Sequence, residues 1–535
     1  MRTTRTGGRP RWQQLALPEA VIRQEIRTRA RGAWHGASRD RRSLRDWAPT
    51  SASADEELSW DLPTLRARAR DLHRNDTFAG ALIETKVTNV VGAGLTPIPD
   101  PDGDVLALDD QQIDQLSDAI EAEWRLFSGV ECDWERVSSL GQLIAIAYRG
   151  ARVAGDSLIV LRHKERAGSP YALKLQLIEA ERLSNPDGAA DSDRMSGGVE
   201  RNDDGEVIAY HVSAHHPMSM RVSRDQDWIK IPAFDVDGQP LALHLMDKQR
   251  PAQSRGIPDL ASIMEPLKVG GRYTEAEMQA TLISALFTGF IISEDGNGGI
   301  AASDDDDGAD RQGLRDTGVT MGNGALLELG PGDDIKFADP TRPNSNFEAF
   351  MRWVYTTAAA RAHLPIELVL MRFDSSYTAA RAAVNEAWRY FHAERAWIVR
   401  DLLQPLWLIW WNEAIARRRL RVAGYWRSPA VRSAVTAAKW IGPARGQVDD
   451  RAEMQGVIAR VDQGITTLEE ETAAITGTSW RGKVKRRMRE AAAQASIPGA
   501  SAPGKTKQGP PGQVPKRPDP GQPAGDDNQD SEESN

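Results

Sequence analysis

The sequence predicts an α+β fold in which helices come first, strands fill the middle and helices return. Three observations predict it. Apolar residues recur at helical spacing from Leu62 to Ala154, the spacing changes to two between Ser157 and Leu245, and helical spacing resumes from Asn346. A repeat of 3.6 marks one face of a helix and a repeat of two marks a half-buried strand. The strands follow one another without helices between them, so the sheet is expected to be mostly antiparallel.

The N-terminus is rich in arginine (Arg2, Arg5, Arg9, Arg11, then Arg23 to Arg45) and superficially resembles an organellar transit peptide, but it lacks the apolar core of a secretory signal. It reads as a basic arm, mobile until it meets an acidic partner or nucleic acid. From Leu62 a helix has Leu62, Leu65, Ala69 and Leu72 in one stripe, with Arg66, Arg68 and Arg70 directed elsewhere. Asn75-Asp76 caps a second helix with the stripe Ala79, Leu82, Ile83, Val87 and Val90, and Gly92 and Gly94 end it. Pro97, Pro99 and Pro101 read as a turn, followed by helices over Leu116 to Phe127 and Leu140 to Ala154.

The period-two runs are Leu158 to Leu161, Leu173 to Leu177, Val207 to Val212, Trp228 to Ile231 and Leu241 to Leu245, and Asp203-Asp204-Gly205 supplies a hairpin turn. A helix follows from Leu260 to Phe290, weakened by Gly270-Gly271. A polar excursion from Ser293 to Asp316 then leads to strand-like Gly324 to Leu329 and Ile335 to Phe337, so a small module is inserted before the next helix, Asn346 to Ala362.

The segment Leu364-Pro365-Ile366-Glu367-Leu368-Val369-Leu370 is too apolar for an ordinary surface connection. Read locally, it is either buried against its own domain or exposed as a constriction. Asp374, Ser375 and Ser376 offer caps for a long helix with Ala380, Ala383, Val384, Ala387, Trp388 and Phe391 on one face. That helix is expected to reach Leu402 and to bend or break at Gln404-Pro405. From Asp449 the chain is helical again, with Met454, Val457, Ile458 and Val461 in register and a capping box at Thr467 to Glu470. Beyond Glu490 a Pro/Gly/Gln/Ser tail is expected to be disordered.

With 535 residues, 40% of them apolar, the chain can bury a large core over about two to four domains. Its single cysteine, Cys132, excludes an internal disulfide framework. That thiol lies between Glu131 and Asp133, whose charges oppose thiolate formation, and it reads as structural. The longest uncharged apolar stretch, Met278 to Ser293, falls short of the roughly 20 residues of a membrane span, so no membrane partner is expected. A net charge of −9 argues against binding DNA through an overall basic surface. It does not exclude DNA as a partner, since a protein that must let a duplex slide avoids a dense set of phosphate contacts, each of which adds binding free energy.

The motifs of catalysis fail on context. Gly499 to Thr506 matches the P-loop pattern but lies in the low-complexity tail with Pro503 inside it, not between a strand and a helix. Asp304 to Asp307 lacks the ligand spacing of a calcium loop. His211, His215 and His216 lack a second ligand pair and read as surface or hairpin-end histidines. Neither a G-x-S-x-G elbow nor an H-E-x-x-H pair occurs, so no enzyme activity, metal or cofactor is expected.

Several motifs occur together and in order. They are Arg70-Asp71-Leu72-x-Arg74-Asn75, Asn89-Val90-Val91-Gly92-x-Gly94-Leu95, the hairpin from Gly198 to Gly205 with Ala209-Tyr210-His211-Val212, and Gln253-Ser254-Arg255-Gly256-Ile257-Pro258. The loop and capped helix around Leu364 to Arg381, and the pattern Asp449-Asp450, Gly464, Thr467, Gly477, Trp480, complete the set. Over roughly Leu62 to Trp480 the chain resembles the lambda-type portal proteins of tailed bacteriophages. It departs from them at Asp76, at Asp450 and at Ser479, and each replacement can still cap a helix.

The resemblance implies a structural ring, usually of twelve subunits, at one capsid vertex of the virion, assembled in the cytoplasm of a host bacterium. Such a ring meets capsid and scaffold proteins, docks the terminase, passes double-stranded DNA during packaging and ejection, and later binds a head-tail adaptor. It implies a basic N-terminal arm (1–60), an α/β wing (61–258), a stem helix (259–290), a clip (291–343), a second stem helix (344–362), a tunnel loop (363–378), Trp-rich helices returning to the wing (379–425), a helical crown (426–490) and a disordered tail (491–535). The tunnel loop would place Leu364, Pro365, Ile366, Glu367, Leu368, Val369, Leu370, Met371, Arg372 and Tyr377 at the DNA channel, with Leu364, Ile366 and Leu368 gripping by shape. Two other readings stand beside it: a P-loop ATPase of DNA packaging and a helical interaction scaffold without a channel.

Overall fold

The computed structural model describes residues 35–38, 41–219, 227–286, 290–293, 333–336, 346–373, 376–446 and 450–495. The basic arm up to residue 34, Asp304 to Asp307, Gly324 to Leu329, the P-loop-like Gly499 to Thr506, and the caps Asp374 and Ser375 lie outside them. The chain forms two compact units divided after Pro443.

The first unit begins with α1 (Ala54–Ser59), α2 (Leu62–Asn75) and α3 (Thr77–Val90). Asp76 caps α3 by accepting from the Ala79 amide at 2.8 Å, and the expected α3 stripe of Ala79, Leu82, Ile83, Val87 and Val90 is buried. In α2, however, Arg66 is buried beside Leu62 and Ala69 rather than directed to solvent. It lies four residues after Leu62 on the same face, and Asp156, 3.0 Å away, neutralises it there.

The prolines after α3 form β1 (Thr96–Pro99), which pairs antiparallel with β11 (Ala438–Ile441). A two-stranded pair has only edges, where a residue without an N–H is tolerated, so the expected turn is a strand. Then come α4 (Gly103–Leu106), α5 (Asp110–Phe127) and α6 (Leu140–Ala154). Helix α5 starts six residues before Leu116 because Asp109 and Gln112 form a capping box.

The middle of the unit holds β2 (Asp156–His163), β3 (Leu173–Ile178), β4 (Met195–Ser196), β5 (Val199–Arg201), β6 (Val207–Ser213), β7 (Trp228–Pro232) and β8 (Ala242–Met246). The strands pair antiparallel throughout, in a three-stranded sheet β3-β2-β8 and a four-stranded sheet β4-β5-β6-β7. Leu158 and Val160 pack with Tyr210, Val212 and Ile231 of the four-stranded sheet. Ile159 and Leu161 join the helical core on the opposite face. The unbroken apolar run at Leu158 to Leu161 thus reflects a strand covered on both faces.

Helix α7 (Met264–Leu286) ends short of the expected Phe290, which instead opens β9 (Phe290–Ser293), paired antiparallel with β10 (Asp333–Lys336). Gly270 lies inside α7 because α8 (Phe347–Arg361) crosses there: a Cβ at Gly270 would approach Met351 Cε to 3.3 Å. The later helices are α9 (Ile366–Leu370), α10 (Tyr377–Ile398), α11 (Gln404–Ala416) and α12 (Pro429–Val435). Between α10 and α11 the chain makes one π-turn, Val399–Leu403, so Pro405 sits in the first turn of α11 and the helical path is not broken. The wider turn accommodates the bond that the proline cannot donate.

Trp407, Trp410 and Trp411 of α11 are fully buried, and Trp124 of α5 meets Trp407 and Trp410 edge-on at 4.8 and 5.0 Å. These large aromatic surfaces join α5 and α11, with Trp440 of β11 against them. Residues 426–443 belong to this first unit.

The second unit comprises α13 (Asp450–Asp462), α14 (Leu468–Thr476) and α15 (Trp480–Ala495). Thr467 and Glu470 form the expected capping box. Of the expected α13 stripe, Val457 is buried while Met454 and Ile458 are exposed. Helix α15 runs to Ala495, past the expected limit at Glu490, because Ala491 to Ala493 continue it with strong helix formers.

Candidate functional site

Helix α8 ends at Arg361, and Ala362 and Leu364 turn back into the core. The Leu364 amide donates to the Ala359 carbonyl at 3.0 Å, and His363 between them has φ 59°. Pro365 is the N-cap of α9, where its fixed φ suits the start of a helix. After one and a half turns Met371 adopts φ 53° and the Arg372 amide donates to the Glu367 carbonyl at 3.1 Å, which closes α9. The expected apolar loop is therefore mostly a short helix.

Its side chains divide by period. Leu364 and Val369 are 4% and 3% exposed, and Ile366 and Leu368 pack half-buried against the same core. Helix α9 lies on α3 and α8. These apolar residues hold the segment to its own subunit, and the expected grip by Leu364, Ile366 and Leu368 does not fit their packing. Leu370, Met371 and Phe373 stand outward at 46%, 81% and 55% exposure. Arg372 is exposed with Glu348 at 3.8 Å, and Glu367 is half-buried. Tyr377 opens α10, and its side chain lies outside the described residues. A cleft of about 220 Å³ lies between the outer face of α9 and α8, lined by Met351, Tyr355, Ile366, Glu367, Leu370 and Arg372, among others.

Downstream, α10 is fixed by a buried polar cluster that sequence reading missed. Lys86 of α3 donates to Asp259 at 2.7 Å and to the Tyr390 hydroxyl at 2.9 Å. Arg152 of α6 reaches Asp259 at 3.1 Å and Glu394 at 2.7 Å, and the Tyr148 hydroxyl donates to Glu394 at 2.7 Å. Burial alone would raise the Asp259 pKa, but the charges of Arg152 and Lys86 overcome it and hold it below the ordinary aspartate value. Burial likewise pushes the Tyr390 and Tyr148 hydroxyls up, so both stay protonated, Tyr148 donating to Glu394 and Tyr390 accepting from Lys86. His363 stacks on Tyr390 at 5.1 Å, which ties the turn before α9 to this cluster. Arg395 adds a second clamp: it donates to the Asn89 and Val90 carbonyls that end α3, at 2.6 and 3.1 Å, and to Pro443 at 2.7 Å. The signal for both was a charged residue on an apolar helix face, as at Lys86.

Two other sequence candidates, Cys132 and His211, lie in the interior. Cys132 is buried, its pKa pushed up to about 12 by burial and by Asp133. His211 is not at a surface or hairpin end: it is buried in β6 and paired with Glu200 at 2.7 Å. Among the described residues no group of His, Cys, Asp or Glu could hold a metal ion, and no helix is long and apolar enough to cross a membrane. The described site is an apolar projection, Leu370, Met371 and Phe373, backed by the core residues Leu364 and Val369.

The chain has known relatives. The chain is 26% identical over 452 residues to Portal protein B of Escherichia phage lambda, across 80% of this chain and 84% of that protein. It is also 26% identical over 454 residues to the portal protein of Escherichia phage N15, with the same coverage. Among solved structures, a chain in the virion of a native gene transfer agent particle aligns with 13% identity and a TM-score of 0.40, over 78% of this chain and 93% of that one. The model of the phage portal protein, lambda family, matches residues 40–395, which spans α1 to α10 and includes the projecting segment, and the chain belongs to that family.

Proposed function

We propose that the chain is the structural portal subunit of a virion: a ring of twelve at one capsid vertex through which double-stranded DNA is packaged and ejected. In this reading it meets capsid and scaffold proteins, docks a terminase and then a head-tail adaptor, and performs no catalysis of its own. The observation that carries it is the family match along residues 40–395. In this reading residues 61–258 are the wing, α7 and α8 the stem, residues 291–343 the clip and residues 426–490 the crown; the compact second unit after Pro443 supports a separate C-terminal module.

The tunnel loop is residues 363–378, and its DNA-facing side chains are Leu370, Met371 and Phe373, which are apolar and exposed. Apolar tips contact a duplex without binding phosphate, so the duplex can slide. The net charge of −9 per chain, repeated around a ring, further opposes sticking. Negative-stain imaging of the purified full chain tests the ring, and particles without a central hole would overturn it. For the loop, Met371→Ala with Phe373→Ala is expected to leave rings intact and lower the yield of packaged genomes.

A further inference from the structure

The second unit carries a feature that the portal reading does not use. Helix α15 has Arg481, Lys483, Lys485, Arg486, Arg487 and Arg489, against the single carboxylate of Glu490. This lies in a chain whose acidic residues outnumber its basic ones, 76 to 67. On a helix these cations fall in rows: Arg481, Lys485 and Arg489 along one line, Lys483 and Arg487 along another. Like charges four residues apart on a helix repel one another, so the pattern costs the free helix stability.

Burial fixes which way they face. Trp480 and Val484 are half-buried at the start of α15, where it packs on α14, whereas every residue from Lys485 to Gln494 is exposed. More than half of α15 is therefore a solvent-facing rod with four cations in its first five exposed positions. Successive cations in a row are about 6 Å apart along the axis, from 1.5 Å of rise per residue. That spacing suits the dense negative charge of a nucleic-acid backbone and requires no base contact.

We propose that the exposed part of α15 binds the phosphate backbone of double-stranded DNA, without sequence preference. The inference rests on the portal reading, which brings a duplex to the protein, and it goes beyond it by naming a retaining contact in the second unit. The exposed loop tips lie in a different unit and let DNA move, while α15 would hold it.

The test uses the full-length protein and a fluorescent 30-base-pair duplex, titrated between 50 and 200 mM salt, with polyglutamate as a second probe. The variant replaces Lys485, Arg486, Arg487 and Arg489 by Gln, which keeps helix propensity. A control removes the same charge from exposed positions of the first unit: Arg68→Gln, Arg125→Gln, Arg421→Gln and Arg427→Gln. The α15 variant is expected to bind duplex at least about tenfold more weakly at 50 mM salt, with a flatter log–log salt dependence, while the control stays within about twofold of the unaltered protein. Equal binding by the two variants overturns the inference, as does polyglutamate binding more tightly than the duplex, which would mark an acidic protein as the partner. Negative-stain images of the same samples separate the two failures. Rings with unchanged DNA binding sink the α15 contact alone, whereas a lack of rings sinks the portal reading and leaves the titration to judge the helix.

Discussion

Gly155 and Gly256 cross with their backbones in direct contact: a Cβ placed on Gly256 would lie 1.8 Å from the Gly155 carbonyl oxygen. The contact brings the turn Gln253 to Pro258 against the start of β2, and it allows Arg255 to reach Asp156 at 2.7 Å. Gly256→Ala has no side chain to rotate away, since the clash is with backbone. Its cost is expected to exceed the roughly 3 kcal/mol upper end of ordinary overpacking, read as a loss of soluble folded protein or a large drop in the urea midpoint. An unfolding free energy within about 0.5 kcal/mol of the unaltered protein would refute the packing.

Lys86 is buried between Asp259 and Tyr390. Lys86→Ala removes one partner of a buried ion pair, and a destabilisation of about 3–5 kcal/mol is expected in chemical denaturation. Arg389→Ala on the same helix as Tyr390, whose ion pair with Glu386 is exposed, should change stability by less than about 1 kcal/mol.

The segment from Leu364 to Phe373 divides into residues that hold it and residues that project. Leu364→Ala opens a cavity in the core and is expected to cost about 2–5 kcal/mol. Met371→Ala removes a side chain that is 81% exposed and should leave the thermal midpoint nearly unchanged. If the two variants lose stability equally, the division between them is wrong.

Acid is expected to unfold the first unit through its buried carboxylates. Burial works to raise the Asp156 pKa, but Arg255 and Arg66 prevail and hold it well below the ordinary value of 3.8, and Asp259 is also lowered. A carboxylate whose folded pKa is depressed stabilises the fold above its unfolded pKa, and that stability is lost as pH falls toward the folded value. Denaturation midpoints should therefore be insensitive to these groups between pH 5 and 7 and fall below about pH 4. A midpoint that peaks in that acid range would contradict the assignment.

Cys132 is 1% exposed with its thiol pushed up to about 12. A thiol-alkylating reagent at pH 8 should label it only when the protein is unfolded. Rapid labelling of the native protein would show that the site is open.

The local elements were legible where one short-range rule decided them. Asp76, Ser376 and Thr467 cap helices as their side chains predict, and β2, β3, β6, β7 and β8 follow the period-two runs. The differences arose where a distant partner overrode the local pattern. Thr96 to Pro99 is a strand because β11, more than 300 residues later, pairs with it. Arg66 is a core residue because Asp156 waits 90 positions away.

The sequence by itself determined the α+β order, the absence of a disulfide framework and the family, because each rests on residue types and their spacing. The tertiary structure decided which face of the Leu364 to Tyr377 segment is free. A one-and-a-half-turn helix sends Leu364 and Val369 inward and Leu370, Met371 and Phe373 outward, and only its packing on α3 and α8 selects between the two. The physical reason is that hydrophobicity is non-directional: it requires that an apolar segment be covered, and the surrounding fold chooses which atoms are.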